Sequence, residues 1–157
     1  MSWPTRARSG RVTHAFRDLP ATSAIIDGEI VAVGSAGLPE FRRLHFRAAA
    51  PESICAWAFD LLHLNGKDLR EMPLARRRDK LQALIARFDY PLLMFSESFD
   101  DADALLRACE AREMEGIVCK RVDAPYRSGR CATWVKVKCA GWRAANRERY
   151  RLFENAR

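Results

Sequence analysis

Thr133-Trp134-Val135-Lys136-Val137-Lys138-Cys139 alternates without a break, and period-two alternation is the mark of a strand with unlike faces. Lys136 and Lys138 fall on one face, Val135 and Val137 on the other, so the lysine face must look at water or at something anionic. Gly116-Ile117-Val118-Cys119-Lys120-Arg121 alternates in the same way. Farther upstream, Ile54-Cys55-Ala56-Trp57-Ala58-Phe59-Asp60 is short, apolar and aromatic, as a buried strand should be, and Leu64-Asn65-Gly66-Lys67 reads as a turn. Residues 23–33 place β-branched side chains on both sides of Asp27-Gly28-Glu29, which predicts a strand pair or one long strand interrupted by a turn-prone step. Residues 92–95 add a short strand.

Helical periodicity fills the intervals. Over residues 73–88, Leu74, Arg77/Arg78, Leu81, Leu84, Ile85 and Phe88 form a stripe opposed by an Arg-rich face. Residues 100–112 put Leu105, Leu106 and Cys109 on one face, with aspartates in the first turn where the helix dipole favours them. Residues 39–49 carry Phe41, Leu44 and His45 at helical spacing, with Pro39 suited to a first turn. The opening stretch to about residue 20 is polar and Arg-rich and holds at most a short strand over residues 12–16. The tail, residues 142–153, is basic and helical, with Trp142, Leu152 and Phe153 as its apolar points.

A chain of 157 residues is long enough for one domain with a sizeable core. Lys and Arg total 27 against 20 Asp and Glu, a formal charge of +7 that suits a partner carrying phosphates. Domains that bind no nucleic acid share such a balance, so charge alone decides nothing. The 5 cysteines have no C-x-x-C spacing, which argues against a disulfide framework and a zinc site and for reduced thiols. No apolar run of about 18 residues occurs, and no apolar stretch follows the basic start. The expectation is a cytoplasmic protein that neither spans a membrane nor is secreted. His14, His45 and His63 have no partner pattern and read as structural or surface residues.

Four short segments occur in a telling order: Asp27-Gly28-Glu29-Ile30-Val31, Phe59-Asp60-Leu61-Leu62, Glu115-Gly116-Ile117-Val118-Cys119-Lys120, and Trp134-Val135-Lys136-Val137-Lys138. Together they resemble the ordered motifs of the ATP-dependent DNA ligase family. Gly37-Leu38-Pro39-Glu40-Phe41 and Tyr126-Arg127-Ser128-Gly129-Arg130 support the likeness, which runs over residues 6–139. The resemblance implies an α+β fold of two antiparallel β-sheets flanked by helices, the ATP-grasp-like nucleotidyltransferase fold that ligases share with mRNA-capping enzymes, incomplete at its N-terminus. On that reading residues 1–139 are a partial adenylation domain and residues 140–157 a basic helical tail. The ligand implied is ATP with Mg²⁺ or Mn²⁺, and the partner nicked double-stranded DNA.

The resemblance also assigns roles. Glu29 would contact the ribose or help hold the metal, and Phe59 would stack on the adenine. Glu115 would bind the divalent cation, while Lys136 and Lys138 would hold the α-phosphate. Lys120 faces the phosphates or is a sheet-edge charge. Arg8, in Arg8-Ser9-Gly10, resembles the family's nucleotide-contacting arginine, with Arg6 competing for that role. Outside this company each residue has a plainer reading: Glu29 a turn glutamate, Phe59 a core ring, Glu115 one charge in a solvated run, the lysines a solvent-facing strand.

The family's nucleophile is a lysine in a K-x-D-G segment, and none of Lys67, Lys80, Lys120, Lys136 and Lys138 sits in one. Covalent adenylation needs an amine at near-attack distance from the α-phosphorus, so self-adenylation by this chain is not expected. The OB-fold domain that follows in ligases is not expected within residues 140–157 either. Three readings follow: a ligase-family domain for sealing DNA nicks in repair or recombination, a non-catalytic nucleotide- or DNA-binding module, or a decayed gene fragment.

Overall fold

The computed structural model describes residues 10–34, 53–87 and 91–146. The chain forms two compact units rather than the single one that its length predicts. The first comprises Met1–Glu97 and Asp123–Tyr126, the second Ser98–Val122 and Arg127–Arg157.

In the first unit the backbone is α1 (Gly10–Arg17), β1 (Ala24–Ala32), β2 (Ile54–Leu64), β3 (Lys67–Asp68), α2 (Leu74–Ile85) and β4 (Leu93–Phe95). The expected strand at residues 12–16 is a helix, α1. Val12 and Ala15 are both buried, a spacing of three that brings two side chains to one face of a helix, and Leu19, past the end of α1, is buried in the same core. Residues 23–33 resolve into one strand. β1 runs antiparallel to β2 through the Asp27-Gly28 step, where β2 holds an extra residue as a bulge.

β2 is the long central strand, pairing β1 and β3 antiparallel and the short β4 parallel. The β2–β3 turn is the expected Asn65-Gly66, with φ of 49° and 82°, the left-handed pair that a two-residue hairpin needs. Asn65 Oδ1 also accepts from the backbone N–H of Thr22 at 2.9 Å, tying the turn to the entry of β1. Of the predicted stripe of α2, Leu74, Arg77, Leu81, Leu84 and Ile85 are buried, and Phe88 lies outside the described residues. Leu81, Leu84 and Ile85 join Ile54, Ala56, Ala58 and Leu93 in one apolar core.

The second unit is smaller: α3 (Ala102–Glu110), β5 (Gly116–Lys120), β6 (Trp134–Lys138) and α4 (Ala140–Ala145). Asp101 caps α3 by accepting from Ala104 N at 2.8 Å. β5 and β6 form an antiparallel pair. One face packs Ile117 and Val137 against Leu105, Leu106 and Cys109 of α3. The other face is the lysine face. The predicted helix over residues 39–49 and the tail beyond residue 146 lie outside the described residues. Among the described residues no helix is long and apolar enough to cross a membrane, and all 5 cysteines are free.

Candidate functional site

The chemistry of the first unit gathers on β1 and β2. Glu29 is mid-strand, directly across from Trp57, and opposed residues share a face. Burial alternates along β2, with Ala56, Ala58 and Asp60 buried and Trp57 and Phe59 half-buried. Glu29 and the Trp57 ring therefore belong to the same side of the hairpin, and half-buried Phe59 is the extra residue of the bulge that follows. Gly28 permits this closeness: a Cβ there would stand 2.6 Å from Trp57 O, inside any contact real side chains tolerate.

Two consecutive arginines hold the strand beneath those rings. Arg77 grips Asp60 through two hydrogen bonds of 2.8 Å, with both side chains fully buried. It also donates to Met72 O and Ala124 O, and lies 5.9 Å from the Tyr126 ring centre. Arg78 donates to Phe59 O at 2.9 Å and to Ser96 O at 2.6 Å, with its guanidinium 4.6 Å from the Phe95 ring centre. Burial pulls the Arg78 guanidinium below its ordinary value. These contacts fix the backbone that carries Phe59.

In the second unit the β5–β6 register places Gly116, Val118 and Lys120 opposite Lys138, Lys136 and Trp134. All three lysines share one face. Glu115 leads into β5 and reaches that face: Lys136 Nζ is 2.9 Å from its Oε1, and Lys138 Nζ donates to the same oxygen. Burial would raise the Glu115 carboxyl, but the two ammonium groups outweigh it and leave its pKa below the ordinary carboxylate range. Lys138 Nζ also sits 4.0 Å from the Trp142 ring centre, and Lys120 Nζ is enclosed 3.9 Å from that of Trp134. Beside β6 lies an open hollow of about 680 Å³ lined by Gly129, Arg130, Cys131, Trp134 and Lys136, among others.

The family described as "ATP dependent DNA ligase domain" matches residues 5–138. The chain belongs to the ATP-dependent DNA ligase family. It is 38% identical over 118 residues to the multifunctional non-homologous end joining protein LigD of Pseudomonas aeruginosa, covering 73% of this chain and 14% of that protein. It is 40% identical over 126 residues to a DNA ligase of Natronomonas pharaonis, covering 73% of this chain and 23% of that one. Among solved structures, a mycobacterial DNA ligase D complexed with ATP and MES superposes with a TM-score of 0.67 at 30% identity, covering 85% of this chain and 44% of that chain. The ligase domain of Mycobacterium tuberculosis LigD gives 0.61 at 34% identity over 73% of this chain and 37% of that chain. The chain thus spans less than half the length of each of these relatives.

The ligase-family motifs divide between the units: Glu29 and Phe59 in the first, Glu115, Lys120, Lys136 and Lys138 in the second. Arg8 and Arg6 lie outside the described residues. Glu29 and Glu115, the expected metal ligands, stand in different units. Glu115 already carries two ammonium groups on one oxygen. The motif reading also missed Asp60, Arg77 and Trp142. Arg77 had a signal, since an arginine inside an apolar stripe must bury with a partner, and Asp60 ending an apolar strand is that partner. Trp142 had none, because its contact to Lys138 depends on the turn into α4.

Proposed function

We propose that the chain is the nucleotide-holding part of an ATP-dependent DNA ligase adenylation domain, with ATP as its small ligand and DNA ends as the substrate it serves. The observation that carries this reading is the pairing of motif with face. On the second hairpin Lys120, Lys136 and Lys138 share one face by register, and on the first Glu29 shares a face with Trp57, two residues before Phe59. On the first, the Phe59 ring offers a flat apolar surface to the purine, and the Glu29 carboxylate is an acceptor for a ribose hydroxyl. On the second, Lys136 presents a half-exposed ammonium for phosphate oxygens, with Lys138 and Lys120 behind it on the same face.

The reaction so served is nucleotidyl transfer from ATP to the 5′-phosphate of a nick, followed by sealing, in repair or recombination. No lysine of the chain stands in a K-x-D-G segment. Lys120 and Lys138 are engaged with rings and Glu115, so neither offers an unencumbered amine. The chain by itself therefore binds ATP without forming a lysyl-AMP bond. Intact-mass measurement after incubation with ATP and Mg²⁺ should show unmodified protein, and a stable AMP adduct would contradict this. Binding to nicked duplex DNA should weaken steeply as salt rises, because Lys and Arg contacts to phosphates release counterions. Salt-independent binding, or none, would remove the DNA half of the proposal.

A further inference from the structure

The most constrained ion cluster in the second unit is the one on Glu115. Its backbone carbonyl accepts from Cys139 N at 3.0 Å. The next residue, Gly116, has a φ of 147° and lies so near β6 that a Cβ would stand 2.0 Å from Val137 O. The main chain thus delivers the carboxylate to the lysine face, and the ion cluster is no accident of two long surface side chains. The two lysines differ. The Lys138 side chain is 17% exposed, beneath Trp142, whereas Lys136 is 52% exposed.

One oxygen serving two ammonium groups is an electrostatic statement. A free divalent cation approaching Glu115 meets two ammonium groups on the oxygen it needs, and like charges at these distances repel. A polyphosphate meets the reverse situation, since its own oxygens replace the carboxylate as the lysines' partner.

We infer that Glu115 is the resting counter-ion of Lys136 and Lys138, a positioning residue that holds both ammonium groups on the hairpin face until a polyphosphate takes them over, so that this hairpin's first ligand is an anion and not a free divalent cation. The inference rests on the phosphate role proposed above for Lys136. It makes Glu115 a competitor of the phosphate chain in the free protein. Removing its charge should therefore strengthen anion binding, the opposite of what removing a metal-bridging carboxylate does.

The test uses the full chain and inorganic tripolyphosphate in EDTA, followed by calorimetry. Glu115→Gln should bind about fivefold more tightly than wild type, the scale of a partly exposed ion pair, and Lys136→Met more weakly. Equal or weaker binding by Glu115→Gln overturns the counter-ion role while leaving the phosphate site standing. If wild type and Glu115→Gln both fail to bind, the phosphate reading falls and takes this inference with it. A measurement on wild type needs no variant to fold: Mn²⁺ alone, followed by electron paramagnetic resonance, should remain free at concentrations where Mn²⁺ with tripolyphosphate is bound. Tight binding of Mn²⁺ alone, lost in Glu115→Gln, would refute the proposal.

Discussion

Asp60 with Arg77 in the first unit and Glu115 with Lys136 and Lys138 in the second are both carboxylates held by cations, yet they occupy opposite regimes. The first pair is wholly buried and bidentate, with its remaining guanidinium donors placed on backbone carbonyls. The second is partly exposed, with two ammonium groups sharing one oxygen. A fully satisfied buried pair is a structural rivet, because nothing from solvent can replace either partner. A partly exposed pair can exchange partners at small cost. The difference separates scaffold from site: the rivet fixes the strand under Phe59, and the exchangeable cluster waits for a ligand.

The sharpest way to break this contrast is to remove each cation in turn. Arg77→Ala should lower unfolding free energy by about 3–5 kcal/mol, since it strands a buried carboxylate, as read from urea denaturation. Lys136→Met should cost well under 1 kcal/mol on the same measurement. Equal losses would erase the distinction between rivet and site.

A smaller effect tests the glycines. Gly116→Ala must fit a Cβ 2.0 Å from Val137 O at a φ of 147°, so it should lose about 1–3 kcal/mol to backbone strain alone. Gly28→Ala meets Trp57 O at 2.6 Å, but Gly28 is not at a positive φ, and it should lose less in thermal melts. The reverse order would mean that β5 and β6 can part more easily than β1 and β2.

Acid supplies the next comparison. The Glu115 carboxyl is held below its ordinary 4.5, so the cluster's contribution is complete above that pH and disappears as pH falls through the depressed value. Wild type should lose more stability than Glu115→Gln between neutral pH and the acid side of 4.5, and identical profiles would deny the ion cluster any weight in the fold. Smallest of all is Asp68, whose hydrogen bonds from Arg70 bring it to about 2. NMR titration should find that value, yet Asp68→Asn should leave the melting temperature unchanged because the pair is exposed.

Most strands were legible in the sequence because their signals are local. Alternation over residues 133–139 gave β6, apolar aromatic density gave β2, and Asn65-Gly66 gave the turn. Where two elements had to be weighed together, local reading failed. Residues 12–16 looked extended because α1 offers only two buried apolar positions, Val12 and Ala15, too few to mark a helical period. The division into two units was equally hidden, since it depends on residues 123–126 returning to the first unit, where Ala124 meets Arg77. At the site, the shared face of Lys136 and Lys138 followed from period-two geometry. The hold of Glu115 on both did not, because it depends on how closely Gly116 lets β5 approach β6.

Calorimetric titration of ATP into the purified chain, beside Phe59→Ala, is the decisive measurement. Saturable binding by wild type and a loss of about tenfold or more in the variant, the scale of one aromatic–base stack, is the predicted result. ATP affinity undiminished by loss of the ring, or no affinity in the wild type, would contradict a nucleotide site on this hairpin.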